Sequence, residues 1–190
     1  MTSVFSRFRH FLLDDEGSMT IEFVIWIPWL LFYLMFSTTA YLAMDSRLEA
    51  MRASITLTDI VSRQDAEITE QQFTDWQVMM NQLTPSATAG GMIRVSVIEA
   101  DSGPKVKATK CIGGIEALTE DNMPVDILPP MAEGSEVILV ETFIPYDPVS
   151  RVFGIQPVTW ENRKFVIPRF VPQVEFDAGV NSNCGSIPAG

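Results

Sequence analysis

Gly17-Ser18-Met19-Thr20-Ile21-Glu22-Phe23-Val24-Ile25-Trp26-Ile27-Pro28 opens the stretch that decides how this chain is organised, and Trp29 to Ala43 completes it. From Phe23 to Ala43 no Asp, Glu, Lys, Arg or His interrupts a run made mostly of Phe, Ile, Leu, Trp, Met and Val. At about 1.5 Å per residue a helix over that run covers roughly 30 Å, the thickness of a bilayer's hydrocarbon core. The run therefore predicts one membrane-spanning helix. It also reconciles a positive mean hydropathy with a formal net charge of −11, because the apolar residues are concentrated in one place.

A secretory signal fits this segment poorly. Its apolar stretch is too long, and the small residues Ala40 and Ala43 have the wrong spacing for signal cleavage. An uncut signal anchor and a processed anchor remain. Glu22 separates them chemically, since an ionised carboxylate in the apolar part of a spanning helix costs about 2.5–3.5 kcal/mol at the centre and less near an end. Either it snorkels to the interface or something neutralises it. The junction Asp14-Asp15-Glu16-Gly17-Ser18-Met19-Thr20-Ile21-Glu22-Phe23 resembles a type IV prepilin site, in which a hydrophilic leader ends in Gly and the fifth mature residue is Glu. That resemblance implies a leader over 1–17 and a cut between Gly17 and Ser18. The new α-amine would lie one helical turn from Glu22, where it, or a neighbouring subunit's amine, neutralises the carboxylate.

Pro28 removes one backbone hydrogen bond from the spanning helix and predicts a kink or local unwinding. Trp26, Trp29 and Tyr33 read equally as interfacial anchors or as contacts to neighbouring helices. Arg7 and Arg9 precede the span while Arg47, Arg52 and Arg63 follow it, so the positive-inside rule does not orient the chain.

Beyond the span, Met44, Leu48, Met51, Ile55 and Leu57 or Thr58 recur at helical spacing. They predict that the helix continues from about Thr20 to Arg63, roughly 65 Å, with these residues as its apolar stripe. Thr69-Glu70-Gln71-Gln72 reads as a capping box for a second helix whose stripe is Phe73, Trp76, Met79, Met80 and Leu83, with Pro85 and Gly90-Gly91 ending it. The period then drops to two. Ile93, Val95 and Val97 alternate with Arg94, Ser96 and Ile98, a turn falls at Asp101-Ser102-Gly103-Pro104, and Lys105 to Cys111 returns as the hairpin partner. Two more strands are expected at Glu136–Ile144 and Phe165–Val171, the latter broken by Pro168, with a loop or short helix over 145–160. The expected class is α+β: a long helix, a second helix and a small antiparallel sheet, arranged as 1–17 leader, 18–43 span and 44–190 domain.

The chain carries 24 acidic against 13 basic residues, which argues against nucleic acid or anionic lipid as the main partner. Its one histidine, His10, lies in the leader, so histidine catalysis and histidine metal sites are not expected in the mature chain. Cys111 and Cys184 lack the short spacing of a zinc or redox motif. They read as a disulfide, which requires an oxidising compartment, or as two buried thiols. Gly90-Gly91 and Gly113-Gly114 lack the context of a phosphate loop and read as turns. Asp121 with Asp126, and Glu133 with Glu136, are candidates for calcium binding or acid–base work, weighed against simple loop solvation. No enzyme activity and no cofactor are expected.

The Gly-Ser-Met-Thr-Ile-Glu-Phe junction, the Pro five residues after Phe23 and the late Phe165-Val166-Ile167-Pro168-Arg169-Phe170-Val171-Pro172 segment resemble the TadE/TadF minor pseudopilins of tight-adherence pili. The resemblance implies a non-enzymatic subunit cut at Gly17–Ser18, with Glu22 and Phe23 acting in assembly. It implies as partners a prepilin peptidase, a major pilin, a second minor pseudopilin and an inner-membrane assembly platform. It places the chain in a bacterial inner membrane with the amino terminus cytoplasmic and the carboxy-terminal domain periplasmic, or associated with the pilus. The alternative of a different class is an uncleaved single-pass periplasmic binding or sensor module.

Overall fold

A computed structural model describes residues 18–65, 67–151, 154, 156–168, 176, 184 and 185. Residues 1–17, the expected leader with His10 and Gly17, the segment 169–172 and most of the tail lie outside the described residues. The fold is α+β. Helix α1 spans Ser18–Ser62, α2 Glu70–Leu83, and four strands follow as β1 (Met92–Ala100), β2 (Pro104–Ile112), β3 (Glu136–Tyr146) and β4 (Val158–Val166). The chain divides into two units, Met1–Leu42 and Ala43–Gly190.

In the first unit α1 remains helical through Pro28, so of the kink or local unwinding expected there the unwinding does not occur. Proline's fixed φ is itself compatible with a helix, and only the one hydrogen bond to the carbonyl four residues back is lost. The hydroxyls of Thr38 and Thr39 donate to the carbonyls of Leu34 and Met35 at 2.8 Å each, which satisfies them inside an apolar segment.

In the second unit the strands pair antiparallel in the order β2-β1-β3-β4. One face of the sheet packs against both helices, in a core that joins Ala50, Ala53, Leu57 and Val61 of α1, Phe73, Trp76 and Met80 of α2, and Ile93, Val95, Val97, Ile138, Val140 and Ile144 of the strands. Helix α2 starts as its capping box dictates. The Thr69 side chain accepts from the Gln72 amide and the Gln72 side chain accepts from the Thr69 amide. Its other end is tied to β1, where Asn81 Oδ1 accepts from Gly91 N at 2.8 Å and Gln77 Nε2 donates to Gly91 O at 3.0 Å.

The second face is covered as well. Residues from Leu118 to Met131, in the long β2–β3 connection, lay Leu118, Met123, Leu128 and Met131 against Ile98, Leu139, Val106 and Phe165. This is why β3 reads as the nearly continuous apolar run Val137-Ile138-Leu139-Val140 instead of alternating. The connection leaves β2 through Gly113, whose φ of +95° suits glycine, and where an added Cβ would approach Met92 Cγ to 2.6 Å.

Two elements differ from expectation. Strand β3 runs two residues further than predicted, through Pro145, whose carbonyl accepts from Thr88 N at 3.0 Å. The last strand is Val158–Val166, which begins in the expected loop over 145–160 and shares only Phe165 and Val166 with the expected strand, so Pro168 lies beyond the strand and does not interrupt it. A proline lacks the ladder donor, and here it bounds an edge strand whose other end is preceded by Pro157.

Candidate functional site

The residues singled out for processing and assembly lie at the start of α1. Ser18 is its first described residue, Gly17 is outside the description, and Glu22 and Phe23 follow within the next turn and a half. Glu22 is the only Asp, Glu, Lys, Arg or His between Ser18 and Met44. Met19, Thr20, Phe23 and Trp26 surround it on the helix surface. The side chains from Phe23 to Phe36 are predominantly exposed, and α1 is long and apolar enough to cross a membrane. An exposed apolar helix of this length is stable only in lipid or against other apolar helices.

Past residue 43 the helix carries the expected apolar stripe on a face that its own domain leaves uncovered, except at Leu57. Met44, Leu48, Met51 and Ile55 are 71%, 48%, 39% and 55% exposed, whereas Ala50, Ala53, Ser54 and Leu57 are wholly buried. The core side of α1 is thus built from small residues with Leu57 and Val61. Small side chains let the helix axis approach the sheet closely, and the larger apolar residues fall on the outside. Polar contacts fix this orientation. Trp160 Nε1 on β4 donates to Ser46 Oγ at 2.7 Å, Arg47 lies 5.8 Å over the Trp160 ring, and Glu49 Oε2 accepts from Ser86 Oγ at 2.5 Å and Ser86 N at 3.3 Å. The stripe therefore faces away from its own domain.

Cys111 and Cys184 form a disulfide, which resolves the choice left open by their spacing. It fastens the tail beside β2, and Gly185 N donates to Ile115 O at 2.8 Å.

Sequence reasoning missed a charged row across the second face of the sheet. Cys111, Arg94, Glu141 and Arg163 are successive cross-strand partners on β2, β1, β3 and β4. Glu141, wholly buried, accepts from Arg94 Nε at 2.5 Å and Arg163 Nε at 3.0 Å, while Arg94 Nη1 donates to Glu116 O at 2.8 Å. Every charge in this row has a partner, and none of them lines an open cleft among the described pockets.

The acidic pairs do not assemble a site. Asp121 and Asp126 are exposed, and Glu136 is buried in an ion pair with Lys107. Among the described residues no group of three or more His, Cys, Asp or Glu side chains is placed to hold a metal ion. Lys105 beside Asp101 at the hairpin turn holds that carboxyl below its ordinary value, and burial, followed by the charge of Asp147, pushes the Tyr146 hydroxyl up. No family model, no curated protein and no solved structure matches the chain.

Proposed function

We propose that this chain is a non-enzymatic, membrane-anchored assembly subunit of the TadE/TadF minor-pseudopilin type, cut between Gly17 and Ser18 and held among other pilin helices by α1. The observation that carries this is the outer stripe Met44, Leu48, Met51 and Ile55, which the chain's own domain leaves uncovered directly after the apolar run. A free-standing enzyme or receptor gains nothing from such a face, whereas a helix that packs against others needs one. The Gly17, Ser18 and Glu22 register supports it, because cleavage would supply the amine that the lone carboxylate of the span lacks. The Cys111–Cys184 disulfide supports a periplasmic domain on an inner-membrane anchor. The partners are then the prepilin peptidase, the major pilin, a second minor pseudopilin and the assembly platform, and the product is an adhesive pilus.

One observation favours the alternative, an uncleaved periplasmic binding module. A cleft of 310 Å³ lies beside the β1–β2 turn, lined by Ser102, Pro104, Leu128, Pro129, Met131 and Glu133. It is small, and its polar groups do not converge.

Two variants separate the steps of assembly. With an active prepilin peptidase, Gly17→Phe is expected to leave the chain full length, since a bulky residue replaces the small one at the cut. Glu22→Ala is expected to be cut normally but to enter the assembly about tenfold less, the equivalent of ~1.4 kcal/mol of lost charge pairing. Immunoblotting of membrane and pilus fractions reads both effects. Normal cutting and normal incorporation of both variants would overturn the proposal.

A further inference from the structure

The outer face of α1 after residue 43 has a coiled-coil register. With Leu48 and Ile55 as a positions, Met44 and Met51 are d, Asp45, Arg52 and Asp59 are e, and Arg47 is g. Asp59 is already paired with Arg63 at 3.0 Å. Arg52 is exposed, Arg47 lies over the Trp160 ring, and neither has a carboxylate partner among the described residues. Both guanidinium groups therefore border the apolar stripe, one on each side, without a counter-charge.

That pattern discriminates between occupants. If α1 is a membrane anchor, as proposed above and on which this inference rests, copies of the chain in one membrane share their orientation and depth, and a partner of the same topology runs parallel to them. In a parallel pair each g position faces the e position of the following heptad on the other helix. Two copies of this chain would set Arg47 of one against Arg52 of the other, at both edges of the seam. We infer that the stripe docks the helix of a different single-pass protein, apolar at the facing a and d positions and carrying carboxylates where it meets Arg47 and Arg52. Four side chains over two heptads make a short seam for a pair formed in water. Co-anchoring in one membrane supplies the effective concentration that makes it sufficient.

The test uses the full chain in its native membrane with a photo-cross-linking amino acid at Leu48, or at Thr56, which is exposed but off the stripe. The expected adduct forms from position 48 and not from 56. It joins a second membrane protein through a segment just outside that protein's span that bears an acidic residue. Arg52→Glu should lower this adduct about fivefold and raise the self-adduct, since Arg47 of one copy then faces the introduced carboxylate of another. Tryptophan-fluorescence melting of Arg52→Glu should match the wild type, because residue 52 is exposed. A dominant self-adduct in the wild-type chain, adducts to lipid alone, or a heteromeric adduct indifferent to Arg52→Glu would each overturn the inference. Its failure is distinguishable from that of the proposed function. A self-adduct on a chain that starts at Ser18 sinks only the partner, whereas a charge-dependent heteromeric adduct on a chain that starts at Met1 sinks only the pseudopilin assignment.

Discussion

Glu141→Ala is expected to destabilise the carboxy-terminal unit by about 3–5 kcal/mol, the cost of leaving a buried cation without its counter-charge. Arg94 would keep Glu116 O but lose the carboxylate that accepts at 2.5 Å, and its position beneath the β2–β3 connection gives it little access to water. Arg163, half-exposed, can turn to solvent and to Glu161, so the loss is concentrated on Arg94. The same reasoning gives a control. Replacing the central pair together, Arg94→Met with Glu141→Leu, removes the charge and the need for it at once. This double variant should therefore recover most of the lost stability. Urea unfolding of the detergent-solubilised chain, followed by tryptophan fluorescence, measures both. Equal destabilisation by the single and double variants would show that shape, and not charge, is what the row provides.

The second large effect belongs to the disulfide. Cys111 and Cys184 are 73 residues apart, and a crosslink of that span stabilises by roughly 4 kcal/mol in the chain-entropy description. Cys111→Ser with Cys184→Ser should lower the unfolding midpoint accordingly and expose the segment around Gly185 to protease, because the remaining tie described there is the single bond to Ile115 O. Thiol labelling is the prior check. Protein isolated from an oxidising compartment should label at neither cysteine until reduced, and quantitative labelling of both would remove the basis for this expectation.

Strongly patterned parts of the fold were legible in the sequence. The long apolar helix, its continuation to Ser62, the capping box at Thr69 and the Asp101–Pro104 turn are each specified by residues close together in the chain. What escaped depends on contacts made at a distance. Strand β4 has the polar, mostly exposed pattern of an edge, so only its end at Phe165 and Val166 reads as strand until β3 is seen pairing with the rest. Arg94 and Glu141 look like ordinary outward-facing strand residues, and only the cover provided by the β2–β3 connection buries them. On α1 the large apolar residues Met44, Leu48, Met51 and Ile55 mark a helical stripe, and their spacing is that of the helix observed. Hydrophobicity alone does not say which of two faces meets its own domain, and the Ala and Ser face wins because it packs more closely. The stripe is thus a surface that the chain's own domain leaves uncovered.

The most direct prediction of the proposal is the cut between Gly17 and Ser18. The decisive measurement is mass-spectrometric determination of the amino terminus of the protein purified from membranes that contain an active prepilin peptidase. A chain beginning at Ser18 is the expected result, whereas an intact chain beginning at Met1 in those membranes would contradict it.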